Sequence, residues 1–87
     1  GFLGVRINEA NLQICEVKAV YPDGAADIAD LKKGDVIVGI DKDAITSFDT
    51  LKMITATLNE SQVIVLKIKR GDEEINKKVT LQKIPGS

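Results

Sequence analysis

The stretch Gly1-Phe2-Leu3-Gly4-Val5 combines residue types and spacing suited to ligand chemistry done by the main chain. A glycine beside a strand start lets successive backbone N–H groups turn into one concavity, and such a nest attracts a carboxylate or a phosphate. The strand that follows can pair with an incoming extended chain if its outer edge is open. The plainer reading of a strand glycine is a bulge or a close backbone contact. Support must come from elsewhere in the chain.

Side-chain chemistry is largely excluded by what is missing. The 87 residues include no histidine, so neither a Ser-His-Asp nor a Cys-His catalytic group can be assembled. An HExxH zinc site and a Cys/His finger fall with it. Cys15 is the sole cysteine and lies in an apolar run, so it reads as a small buried hydrophobe, with no internal disulfide and no CxxC pair. Asp41, Asp43 and Asp49 lack the glycine and glutamate spacing of an EF-hand loop and read as solvated turn residues. Gly1-x-x-Gly4 opens a strand, whereas the RNA-gripping GXXG loop joins two helices. Nothing matches a Walker loop or a dinucleotide fingerprint. The residues thus imply no cofactor, no metal and no catalysis by this segment. The expected activity is binding.

Composition agrees. A net charge of −1 argues against a nucleic-acid surface, which would be strongly basic. Lys67, Lys69, Arg70, Lys77 and Lys78 gather on one hairpin, but Asp72, Glu73 and Glu74 interrupt them, so this face is expected to be solubilising surface. The most apolar stretches, such as Val63 to Ile68, are far too short to span a bilayer. No basic, apolar leader precedes Gly1, so neither a signal peptide nor an anchor is expected, and no direct membrane insertion. The length fits one small domain, placed at 1–84, with 85–87 as linker or tail.

The elements that must position the opening loop can be read from periodicity. Leu3, Val5 and Ile7 alternate with Gly4, Arg6 and Asn8, the pattern of a half-buried strand. Asn8 to Asn11 turns, and a second strand is expected over Leu12 to Val20. Tyr21-Pro22-Asp23-Gly24 breaks the chain, followed by a short alanine-rich helix from Ala25 to Leu31. Gly34-Asp35 precedes a buried strand, Val36 to Ile40, and Asp41-Lys42-Asp43 reverses direction. Thr46 or Ser47 is a plausible N-cap, with Asp49 at capping-box spacing from Thr46. Phe48, Leu51, Ile54, Thr55 and Leu58 then recur at intervals of three and four, an amphipathic helix closed by Asn59. Val63 to Lys69, the turn Arg70-Gly71-Asp72, and Ile75 to Leu81 form a terminal hairpin. Leu51, Ile54 and Leu58 read as core, while Phe48, Lys52 and Thr55 lie on a neighbouring stripe suited to a groove wall.

Taken together, these stretches resemble a PDZ domain over nearly the whole chain. Leu3-Gly4-Val5 is similar to the core of the family's carboxylate-binding loop. Val20 to Asp35 resembles its turn, short helix and Leu-x-x-Gly-Asp segment. Val36-Ile37-x-x-Ile40 with its acidic turn, and the helix opening at Ser47-Phe48, follow in the family's order. The loop at the first residue and the extra C-terminal hairpin resemble the circularly permuted PDZ domains of bacterial proteases, the HtrA-type serine proteases above all. Three positions depart from that pattern: Ala25 for a common proline, Asp30 for a frequent glycine, and Lys42 where glycine is usual. Asp tolerates the left-handed region better than most residues, so the turn at Asp30 can survive.

The resemblance implies an α+β fold, a PDZ-like partly open antiparallel β-barrel of five or six strands capped by two helices. It implies a module that recognises hydrophobic C-terminal tails, or other exposed hydrophobic segments, by β-strand addition. The carboxylate would sit on Leu3, Gly4 and Val5, the ligand strand would pair with Val5, Arg6 and Ile7, and Phe48, Leu51, Lys52 and Thr55 would form the helical wall. The implied partners are such peptide segments and the protease domain of a parent serine protease, in a cell-envelope or periplasmic setting. The alternative is a structural or assembly domain of a membrane-associated protease, with no peptide ligand of its own.

Overall fold

A computed structural model describes residues 3–10 and 13–83. The expectations for Gly1, Phe2, Asn11, Leu12 and 84–87 lie outside the described residues. The first strands are β1 (Val5–Ile7) and β2 (Cys15–Val20), followed by helix α1 (Ala25–Ile28) and strands β3 (Val36–Ile40) and β4 (Asp43–Ala44). Helix α2 (Phe48–Thr57) and the hairpin β5 (Val63–Arg70) and β6 (Glu73–Thr80) complete the chain. All strand pairs are antiparallel. The sheet runs β1-β2-β3-β5-β6, with β4 pairing β3 to the side. The expected partly open barrel is thus a six-stranded open sheet with two helices, which does not close on itself.

The pattern of exposure follows strand periodicity. Along β5, Ile64, Leu66 and Ile68 are fully buried while Val63, Val65, Lys67 and Lys69 face out. These inward residues join Ile37, Ile40, Val17, Cys15, Val79 and Leu81 in one core. The β5–β6 ladder holds one register from Val63↔Thr80 to Arg70↔Glu73. Gly71, at φ +63°, makes the two-residue turn between them possible.

β2 serves two neighbours in succession. Cys15 and Glu16 pair with β3, whereas Val17 to Val20 pair with β1. At the crossover the Val17 N–H donates to Asp35 O at 2.7 Å and the Gly34 N–H donates to Val17 O at 2.8 Å. This bend carries β1 away from the main sheet and toward α2.

Some boundaries differ from the sequence reading. Ser47 is the N-cap of α2: its Oγ accepts from the Thr50 N–H, so the Thr46–Asp49 spacing is not used. The helix ends at Thr57, where Leu58 turns extended at ψ 148°, and the Asn59 N–H donates to Gln62 Oε1. The chain thus leaves α2 without a left-handed Asn59. Asp30 does occupy the left-handed region, at φ +66°.

Candidate functional site

Two carbonyls fix the geometry of the Leu3–Val5 loop. Leu3 O accepts from the Ala26 N–H and Gly4 O accepts from the Tyr21 N–H, each at 2.9 Å. Both peptides are trans, so each N–H points opposite to its carbonyl. The N–H groups of Gly4 and Val5 are therefore turned away from α1 and the end of β2, toward the side where α2 lies. The third expected donor, the Leu3 N–H, shares a peptide with Phe2, which is outside the described residues.

Glycine is required at position 4 for two reasons. Its φ is +82°, a region costly for L side chains. A Cβ there would also meet Gly24 Cα at 3.3 Å and Ala25 N at 3.4 Å. Gly24 is itself hemmed in, since a Cβ on it would meet Tyr21 O at 3.1 Å. The two glycines let the loop seat on the start of α1, which is what holds its two carbonyls inward.

Beyond the loop, β1 alternates in the same phase. The Asn8 N–H donates to Glu16 O at 2.9 Å, so Gly4, Arg6 and Asn8 direct main-chain groups at β2. Val5 and Ile7 accordingly turn theirs outward. β1 is the end strand of the sheet and, among the described residues, β2 is its one strand partner. Of the expected pairing trio, Val5 and Ile7 present main-chain groups to the open edge. Arg6 departs from that expectation: its main chain is committed to β2, so it can offer only its side chain.

The groove between β1 and α2 contains a cavity of about 150 Å³, lined by Leu3, Gly4, Val5, Ile7, Phe48, Leu51, Lys52 and Thr55. The fold thus gathers every expected site residue except Arg6 around one space. Leu51 is buried, at 4% exposure, while Phe48 and Thr55 are half-buried. Lys52 lies with Nζ 5.3 Å from the centre of the Phe48 ring, a cation–π contact at the groove's rim. The Thr55 hydroxyl donates back to Leu51 O at 2.9 Å, leaving the groove wall mainly apolar. A second cavity of about 270 Å³ continues along β1, lined by Val5, Arg6, Ile7, Glu9, Lys18 and Phe48. Glu9 and Lys18 were not anticipated there, because a β2 side chain reaches it only through an irregular β1–β2 register.

The remaining candidates have structural explanations. Asp41 Oδ1 accepts from the Val65 N–H at 2.9 Å and so ties the β3–β4 turn to β5. Among the described residues, no group of three His, Cys, Asp or Glu side chains could hold a metal ion. The Cys15 thiol is 1% exposed, and burial pushes its pKa up. Arg70, expected on a solvated face, instead forms a two-pronged ion pair with buried Asp35: Nε to Oδ1 at 2.9 Å and Nη2 to Oδ2 at 2.8 Å. The Arg70 hydrogen bonds hold the Asp35 carboxyl below the usual carboxylate range, against the opposing effect of burial. Asp35 also accepts from the Lys32 N–H, so it fastens the β2–β3 connection to the hairpin.

A sheet-edge groove beside a helix, closed at one end by a glycine loop with inward carbonyls, defines a class of peptide-recognition fold. The family description "PDZ domain" matches residues 1–81, and the chain belongs to that family, whose domain is a non-catalytic module. It is 32% identical over 77 residues to the serine endoprotease DegS of Escherichia coli (strain K12), a match covering 87% of this chain and 21% of DegS. The chain therefore spans about a fifth of the length of the curated relatives it matches. Among solved structures it is similar to the HtrA-type protease AlgW, a serine-to-alanine variant with a decapeptide (TM-score 0.82, 26% identity). That match covers 99% of this chain and 30% of AlgW. It is also similar to an aminopeptidase N family protein from Idiomarina loihiensis (TM-score 0.81, 26% identity), covering 92% of this chain and 13% of the other. The HtrA3 PDZ domain bound to the phage-derived ligand FGRWV shares the fold (TM-score 0.74, 18% identity), over 91% of this chain and 82% of that one.

Proposed function

We propose that this domain captures hydrophobic C-terminal tails of proteins by β-strand addition. The terminal carboxylate accepts hydrogen bonds from the N–H groups of Gly4 and Val5, with Leu3 the third donor of the loop. The tail runs antiparallel to β1 and exchanges main-chain hydrogen bonds with Val5 and Ile7. Its last side chain enters the 150 Å³ cavity between Leu3, Val5, Ile7, Phe48, Leu51 and Thr55. Those walls favour Val, Leu, Ile or Phe at the terminus. Without a histidine at the head of α2, no preference for Ser or Thr two residues upstream is expected, and Lys52 favours an acidic side chain at that place.

The observation that carries this reading is the inward pull on the Leu3 and Gly4 carbonyls, which aims two consecutive N–H groups at the groove. Only four or five ligand residues engage and each must be ordered, so micromolar affinity, about −8 kcal/mol, is the expected scale. Within a longer protein, the module would present substrates to a serine protease domain or relay tail binding as an activation signal. The similarity to DegS and AlgW, both proteases, supports that placement.

A calorimetric titration tests the carboxylate step. A tail with a free carboxylate should bind roughly tenfold tighter than its amidated twin, the scale of a charge-assisted hydrogen bond. Equal affinities would rule out capture by the loop and favour a purely structural role for the domain.

A further inference from the structure

The two cavities beside β1 share Val5, Ile7 and Phe48 but differ in their remaining walls. The larger is completed by Arg6, Glu9 and Lys18, three charged residues outside the apolar groove. Arg6 projects from the face of β1 opposite to Val5 and Ile7, because successive strand side chains alternate. The register shift between Arg6 and Ile7 moves the partner from Ala19 to Val17 and leaves Lys18 as the extra residue of a bulge. The bulge sets the Lys18 side chain beside Arg6. Both cations are exposed, and among the described residues neither takes part in an ion pair.

We infer that Arg6 and Lys18 select an acidic side chain at the penultimate position of the bound tail. This rests on the strand-addition reading above and adds a charge requirement to it. Val5 and Ile7 turn their peptide groups to the open edge, so the last and the third-from-last ligand residues face them. The penultimate residue then falls opposite Arg6. Directly opposed residues on neighbouring strands project to the same face. Its side chain therefore emerges beside Arg6 and Lys18, whose cavity Lys52 does not line. Glu9 lies farther along the chain, beyond β1, where it disfavours a second acidic residue upstream. The preferred ligand class is a hydrophobic C-terminal residue preceded by one Asp or Glu, with a neutral or basic residue at the upstream end that faces Glu9.

The test compares three peptides that differ only in the penultimate residue, ending Glu-Val, Ala-Val and Lys-Val, titrated into the chain. Glu-Val should bind about threefold tighter than Ala-Val, and Lys-Val should be weakest, the scale of solvent-exposed ion pairs. The spread should collapse near 1 M salt, where the screening length falls to ~3 Å. Arg6→Glu combined with Lys18→Glu should reverse the order, making Lys-Val tightest. Should that double variant not fold, Lys18→Ala and the salt series on the unmodified chain decide the matter. Indifference to the penultimate charge, with the carboxylate still required, would overturn this inference and leave tail capture standing. Failure of every free-carboxylate tail to bind would overturn both.

Discussion

The two flanks of the sheet are built in opposite ways. On the β3–β5–β6 side, the hairpin pairs eight residues per strand without a shift, and Ile64, Leu66 and Ile68 are fully buried. On the β1 side, a three-residue strand pairs with one neighbour through a bulged register, and α2 buries only Leu51 completely. The first flank pairs β5 on both sides, with β6 as the other end strand of the sheet, and buries Ile37, Ile40, Ile64, Leu66, Ile68 and Val79. The second keeps main-chain groups of Val5 and Ile7 turned to an open groove. Binding segments belong to the less stable end of a fold, and in the proposed tail capture the receptive flank is the short, bulged one.

The comparison can be broken at several points. Leu66→Ala, in the centre of the zipped flank, should cost about 3–4 kcal/mol in a urea titration, by lost burial and a residual cavity. A loss under about 1 kcal/mol would mean that this flank does not hold the stability assigned to it. Arg70→Met comes next, since it strands the buried Asp35 carboxylate, for which about 2–3 kcal/mol is expected with Arg70 partly exposed. Its pH dependence has a definite sign. Arg70 depresses the folded-state pKa of Asp35, so the pair's stabilisation is present above the unfolded value near 4 and is lost as pH falls through the folded value. The variant should therefore lose stability at pH 7 and show a shallower acid limb; an unchanged acid limb would contradict this.

Gly4→Ala acts on the receptive flank. The left-handed φ and the 3.3 Å approach to Gly24 should cost about 1–2 kcal/mol of stability. Tail affinity should fall by roughly tenfold as the Gly4 and Val5 N–H groups lose their aim. Lys52→Met is the mildest. It removes the cation above the Phe48 ring, worth about 0.5 kcal/mol at an exposed site, and should abolish any preference for an acidic residue two positions before the terminus.

Much of this architecture is legible in the sequence, because the signals are local. Alternation marks β1 and β5, the i, i+3, i+4 spacing marks α2, and Gly71 and Pro22-Asp23-Gly24 mark turns. The groove residues Phe48, Lys52 and Thr55 follow from one helical stripe, and Leu51 from the core stripe beside it. What the sequence hides is non-local. The Gly4–Gly24 contact joins residues 20 apart, and the Asp35–Arg70 pair joins residues 35 apart. Arg70 looks like any other cation of the hairpin until the fold brings Asp35 beneath it. The bulge that sets Lys18 beside Arg6 depends on pairing register, which composition does not encode. Short β4 is a product of the β3 turn, and its two exposed residues carry no periodic signature.

The most direct measurement maps proton–nitrogen shifts of the isotope-labelled chain while a free-carboxylate hydrophobic tail is added. Perturbations should concentrate at residues 3 to 7 and 48 to 55, with the Gly4 and Val5 amides among the largest, while β5 and β6 stay still. Shifts centred on the hairpin, or none at the glycine loop while binding is evident, would contradict the assignment of the β1 edge as the receptive surface.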